Sequence, residues 1–345
     1  MNQKGLPLKK RMLGFTVSMT LALIFAGCNA STGTGPTGGD AGAEEEPTKK
    51  VKITQVTNWF AQPEHGGQYT ALAKGYYEEE GIDMTIEPGG PQVSSMQIVA
   101  SGKAQFGMGQ ADEVLTARDS GIPVVAIAAV FQKSPQAMLF HADADITDFE
   151  DLDGRNVYTA PGSGYWDFIK KKYNLNEVKD MAYTGQFVNF IEDKNAVTQS
   201  YITSEPFTLK QQGIEIKYLL TYDAGFQPYS NVLYTTEEFL KGNPDVVKGF
   251  LAASVKGWNY YKDNYEEMNE VLKEKNPDLT REGMKYGAEQ EMQLIFTEET
   301  DTHGMGIMTE ERWTKLQSDM YDLGLLKNKE DIAGVFTTAY LPQAE

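Results

Sequence analysis

The chain has 345 residues, 41% of them hydrophobic and 11% aromatic, enough apolar material for one large or two medium cores. A formal net charge of −18 repels nucleic acid and anionic lipid, so surfaces of that kind are excluded as partners. One cysteine rules out an intrachain disulfide and a thiolate metal site, and three scattered histidines without HExxH spacing argue against a metal enzyme.

The chain opens with Lys4, Lys9, Lys10 and Arg11 and no acid, followed by the apolar run MLGFTVSMTLALIFAG. A basic segment, a short apolar core and small residues at its end predict a secretory leader over residues 1–27. Ala26-Gly27-Cys28, behind Ile24 and Phe25, resembles the bacterial lipobox. That resemblance implies lipidation of Cys28 as the new N-terminus, with two or three acyl chains giving stable anchoring. Residues 28–50 are mostly Gly, Ser, Thr, Pro and Glu and predict a disordered tether. Without the leader's four basic residues the formal charge is −22.

Folded elements begin at VKITQVT (Val51 to Thr57), whose β-branched alternation predicts a strand. GGQYTALAKGYYEEEG reads as one helix closed by Gly81, IDMTIEP as a strand, and SSMQIVASGK as a helix with a serine N-cap. AQFGMG, ADEVLTARDSG and IPVVAIAAV then read as strand, helix and strongly apolar strand. The alternation restarts with a strand near Asn156 to Thr159, the helix GYWDFIKKKYN, the strand MAYTG and the helix FVNFIEDKNA. VTQSYI, EPFTLKQQG, IEIKYLL and NVLYTT follow as strand, helix, strand and strand, and from Glu237 the tail is helical.

Such alternation predicts α/β architecture with parallel βαβ units in two lobes of similar build. The segments 122–130 and 229–235 are the expected crossings. The first lobe is then residues 51–133 plus 233–345, and the second is an insertion over 134–232. Ligands of open α/β sheets sit beyond the carboxyl ends of the strands, which places a cleft between the lobes.

The loops at those strand ends supply the candidate binding residues. Trp59 and Phe60 follow the first strand, where a flat ring can stack on a ligand, and His65 lies at the approach to the next helix. Gly107 and Gly109 allow close backbone approach, and Gln110 and Asp112 open the following helix, where Asp112 caps the helix, contacts a ligand, or both. The Gly-Ser-Gly turn of TAPGSGYWDF makes Ser163, Gly164 and Tyr165 candidates at a helix N-terminus. Glu205 in YITSEPF reads as a helix start or as an acceptor for a ligand amine, and Tyr229 and Phe226 as walls of the cleft. These segments hold Glu64, Asp112, Glu205 and Asp223 but no Lys or Arg.

GYYEEEGIDMTIEPGGP, IVASGKAQFGMGQADEVLTARDSGIPVVAIAAV, DLDGRNVYT and EEFLKGNPDVVKGFLAASVKGWNYYKDN resemble solute-binding proteins of bacterial ABC importers. The group is the nitrate, sulfonate and thiamine-pyrimidine-precursor binding family, which includes the yeast-type pyrimidine precursor synthases. The resemblance covers roughly Val51 to Leu326. It implies a periplasmic-binding-protein fold (type II-like), closing on a small-molecule nutrient that is passed to an ABC permease and its ATPase. It also implies a monomer without cofactor, held by lipid at the extracellular face of the cell membrane, as in Gram-positive cells. The synthases have a histidine near the position of His65. They also carry a cysteine-rich iron-linked motif, whereas Cys28 precedes the mature domain, so an enzyme is not expected. Rings and carboxylates without a cation suit a neutral or amine-bearing heteroaromatic ligand, with a thiamine-type aminopyrimidine first. A flavin, a sulfonate, nitrate or a sensor role are the alternatives.

Overall fold

The computed structural model describes residues 50–343. The expected leader, Cys28 with its lipidation, and the tether before Lys50 lie outside the described residues.

Strand β1 (Val51–Val56) pairs in parallel with β2 (Ile82–Glu87) along its whole length, from Val51 opposite Ile82 to Val56 opposite Glu87. The single helix expected between them is two, α1 (Gly66–Ala73) and α2 (Tyr76–Glu79). Gly75 breaks it at φ +75°, a left-handed conformation that a side chain disfavours. Helix α3 (Ser95–Ala100) begins as expected, with Ser94 Oγ accepting from Gln97 N. Then come β3 (Phe106–Gly109), α4 (Ala111–Asp119) and β4 (Val124–Phe131), the last buried at every residue.

The chain next lays down β5 (Gln136–His141), which the sequence reading did not assign. QAMLFH is too short to show a period, and nearly all of it is buried, so no alternation marks it. It is nonetheless the strand between β8 (Ala196–Tyr201) and β9 (Ile216–Leu220), antiparallel to both. Around it lie β6 (Asn156–Thr159), α5 (Gly164–Tyr173), β7 (Lys179–Ala182), α6 (Val188–Glu192) and α7 (Glu205–Gln211). Strand β10 (Ser230–Thr236) returns to the first sheet. After it come α8 (Glu237–Gly242), α9 (Pro244–Lys275), α10 (Arg281–Ile295), α11 (Glu298–His303), α12 (Glu310–Asp322) and α13 (Ile332–Val335).

The two five-stranded sheets repeat one pattern. The first runs β2-β1-β3-β10-β4 and the second β7-β6-β8-β5-β9. In each, the fourth strand in that order is antiparallel to both its neighbours. Each sheet is thus the base of one α/β lobe, and the chain crosses between them after β4 and again before β10.

Packing behind the first sheet fixes the start of α1. At Gly66 and Gly67 a Cβ would fall within 2.4 Å and 2.2 Å of the rings of Tyr261 and Trp258 on α9. Only glycine permits that approach, which sets the turn Pro63–His65 just ahead of it. Phe106 stacks on Phe250 at 3.8 Å, both buried, each such ring contributing about 1.5–3 kcal/mol by leaving water.

Candidate functional site

A cavity of about 430 Å³ lies between the lobes, a size ordinary for small-molecule sites. Its first-lobe wall comes from the loop after β1 (Asn58, Trp59, Gln62, Glu64, His65), the turn 90–94, and the start of α4 (Gln110, Asp112, Glu113). Its second-lobe wall comes from the β6–α5 turn (Ala160, Ser163, Gly164, Tyr165), the end of β8 (Gln199, Tyr201) and the start of α7 (Ser204, Glu205). Gln136 and Asn231, on the strands next to the two crossings, close the remaining side.

Both walls are built from strand-to-helix turns, so helix N-termini face the gap. Gly164 opens α5 directly against Asp112 of α4, and a Cβ there would lie 2.3 Å from Asp112 Oδ2. The glycine read as part of a backbone nest thus also leaves room for the Asp112 carboxyl of the facing lobe. Gln110 rather than Asp112 is the N-cap of α4, and its N–H donates to Glu113 Oε2 at 2.9 Å. Asp112 is buried, and its Oδ1 has no partner.

Polar contacts join the lobes. Gln110 Nε2 donates to Tyr201 Oη at 2.6 Å, and Tyr201 Oη lies 3.1 Å from Ser230 Oγ at the return crossing. Thr203 Oγ1 donates to Glu64 Oε1. Tyr286 Oη of α10 donates to the Ile202 carbonyl at 3.1 Å. The two lobes are closed on one another.

The first-lobe wall contains a connected amide and imidazole chain. His65 Nε2 lies 2.9 Å from Asn58 Oδ1, Asn58 Nδ2 donates to Asn231 Oδ1 at 2.9 Å, and Asn231 Nδ2 donates to the Glu64 carbonyl at 2.9 Å. Burial drives His65 down to about 3, so its ring is neutral. Its Nδ1 has no partner. Burial pushes Glu64 and Asp112 up to about 7 each, the nearby Glu113 charge adding to the shift at Asp112. Glu205 is also raised by burial, although Tyr201 N at 2.8 Å and Ser204 Oγ at 2.6 Å donate to its Oε2. The cavity is bounded by four carboxyl groups and no Lys or Arg.

Trp59 meets a second ring that the sequence reading did not single out. Tyr183, just after β7, faces it with ring centroids 6.3 Å apart and planes 14° from parallel. The two faces are near parallel but too close for a flat ring to lie between them as they stand.

Of the expected residues, Trp59, His65, Gln110, Asp112, Ser163, Gly164, Tyr165 and Glu205 come together around this cavity. Phe60 does not. Its ring turns outward, 47% exposed, and lies over Gly90. Tyr229 is also elsewhere, because its ring fits between Trp313 and the Arg312 guanidinium, and its hydroxyl accepts from Thr309 N at 3.0 Å. Phe226 packs on Phe168 in the core, which leaves it no face toward the gap. Gln199, Tyr201, Glu113 and Asn231, also on the cavity wall, were missed, as was Tyr183, which faces Trp59 but does not line the cavity. Tyr201 and Gln199 sit on one strand two residues apart, so period-2 facing on β8 was the signal that could have found them.

A family model described as NMT1/THI5 like matches residues 62–268, the stretch that carries every cavity-lining residue except Asn58 and Trp59. The chain belongs to that family. Among its relatives, the riboflavin-binding protein RibY of Chloroflexus aurantiacus is 25% identical over 97% of this chain and 99% of its own. The formylaminopyrimidine-binding protein of Halalkalibacterium halodurans is 26% identical over 74% of this chain and 77% of its own. A 4-amino-5-hydroxymethyl-2-methylpyrimidine phosphate synthase of Legionella pneumophila is 24% identical over 85% and 93%. In structure the chain is similar to the periplasmic aliphatic sulphonate binding protein SsuA of Escherichia coli, with a TM-score of 0.64 and 14% identity over 85% of this chain and 94% of that one. The fold is the two-lobed periplasmic-binding-protein fold.

Proposed function

We propose that this protein is the extracytoplasmic substrate-binding component of an ABC importer, and that its ligand is a flat, neutral or amine-bearing heteroaromatic nutrient. The observation that carries the ligand class is the cavity wall, four carboxyl groups with no basic side chain beside a facing Trp59–Tyr183 pair. A sulfonate or nitrate needs donors and positive charge, and those carboxylates repel it. Ring amines and amides supply the donors that Asp112 Oδ1 lacks. The relatives named for riboflavin and formylaminopyrimidine binding support a nitrogen heterocycle.

Residues 51–133 with 233–345 act as one lobe and 134–232 as the other, closing about the two crossings as a hinge. Trp59 and Asp112 from one side and Tyr165, Tyr183 and Glu205 from the other engage the ligand. Closure is favoured by ligand only through contacts made to both walls at once. Cys28 anchors the protein by lipid, and the permease receives the ligand from the closed form. The synthase reading has less support, since the chain's one cysteine stands outside the cavity-forming residues.

A cavity of about 430 Å³ has room for an aminopyrimidine or for a larger ring system. Denaturing the protein as purified from its native cell and identifying the released small molecules by mass spectrometry tests the reading. The expected species is a nitrogen heterocycle at near-equal stoichiometry. Release of an organosulfonate alone would sink it.

A further inference from the structure

Glu64 stands on the first-lobe wall, yet its Oε1 accepts from Thr203 of the second lobe. Its Oε2 is buried without a partner. Behind it, α10 presents Gly287 and, four residues on and therefore on the same side of the helix, Glu291. A Cβ at Gly287 would lie 3.0 Å from the Thr203 carbonyl and 3.1 Å from Pro63, so this face of α10 is pressed onto both lobes. Glu291 is fully buried, and neither of its oxygens has a partner. The titratable groups around the pair are Glu205 of α7, Tyr201 of β8, Tyr261 of α9 and the neutral His65. No Lys or Arg bounds the cavity on either side.

Two carboxyl groups so deeply buried with no cation cannot both stay ionised without a large cost. Opening the lobes would separate Thr203 from Glu64 and from Gly287, removing the second-lobe cover from Glu64 and from the face of α10 that carries Glu291. We propose that closing the lobes takes up protons on Glu64 and Glu291, so that ligand capture in this cleft is linked to proton binding. The inference rests on the reading of the cleft as the ligand site.

The sign follows from the direction of the shifts. Burial holds Glu64 at about 7 against an ordinary 4.5, and Glu291 well above the ordinary value. The closed form therefore binds more protons than the open form. Its advantage is full below the open-state value and is lost as pH rises through about 7.

Small-angle scattering of the ligand-free protein from pH 8.5 to 5 tests this. The radius of gyration should contract as pH falls, and the contraction should be largely absent in Glu64→Gln and Glu291→Gln, which keep the side-chain shape. A radius that ignores pH in the wild type, or contracts equally in both variants, overturns the proposal. Riboflavin, which does not titrate in this range, serves as the calorimetric probe in parallel. Its affinity should weaken by up to about tenfold per pH unit for each of the two carboxyl groups between roughly pH 5 and 7, with up to about two protons taken up on binding. Failure of riboflavin to bind, with the pH-dependent contraction intact, counts against that ligand and leaves the proton linkage standing.

Discussion

The two lobes repeat one sheet pattern but treat their polar groups in opposite ways. Among the described residues, buried side-chain nitrogens and oxygens without partners include Glu64, His65, Gln68, Asp112 and Glu291, and none falls between Lys133 and Ser230. The second lobe's wall is a satisfied frame. Tyr165 Oη donates to Gln199 Oε1 at 3.0 Å, the same oxygen accepts from Ala160 N at 2.5 Å, and Glu205 is held by its own turn. Each buried group left without a partner costs about 1–3 kcal/mol, and of those in the first lobe Glu64, His65 and Asp112 line the cavity. The comparison teaches that the first lobe supplies unmet affinity and the second supplies a fixed shape.

Substitutions can break that contrast. The largest effect is expected at Asp112→Asn, which removes the charge and turns one carboxylate oxygen into an NH2 donor that opposes a ligand amine, and should weaken binding of an amine-bearing ligand by roughly ten- to hundredfold by calorimetry, the range of one charge-assisted hydrogen bond. Gly164→Ala comes next. Its methyl group meets Asp112, so closure should be impeded, with affinity down about tenfold and a larger radius by scattering in the presence of ligand. Trp59→Ala should weaken binding about tenfold by loss of one stacking face, and unchanged affinity would place the ligand away from the Trp59–Tyr183 pair. Glu205→Gln should cost only a few-fold, because an amide oxygen can still accept from Tyr201 N. A loss at Glu205 exceeding that at Asp112 would reverse the assignment of roles. Tyr229→Phe should leave affinity unchanged and lower unfolding stability by about 1 kcal/mol through the unpaired Thr309 N–H, read from denaturant titration.

Much of this architecture was legible because most strands and helices carry local signals. The alternation VKITQV, the Ser94 cap of α3 and the glycine-bounded helices of both lobes need no tertiary knowledge. Strand β5 escaped because a short, buried central strand shows no period. At the site, loops after strands were readable as a class, which gathered Trp59, Asp112, Ser163 and Glu205. Side-chain direction was not readable. Trp59 and Phe60 are neighbours with opposite fates, and Tyr229 was claimed by Trp313 and Arg312 from a helix some 80 residues later. Tyr183 pairs with Trp59 only through the closed arrangement of the lobes, which no local pattern encodes.

The central claim is that a cation-free, carboxyl-bounded cleft accepts a flat nitrogen heterocycle and refuses simple anions. Isothermal titration of the purified protein with riboflavin, 4-amino-5-hydroxymethyl-2-methylpyrimidine, an alkanesulfonate and nitrate under one buffer tests it most directly. Micromolar or tighter binding of at least one heterocycle, with no heat from either anion, is the predicted result. Tight binding of the sulfonate or nitrate with no response to any ring would contradict it.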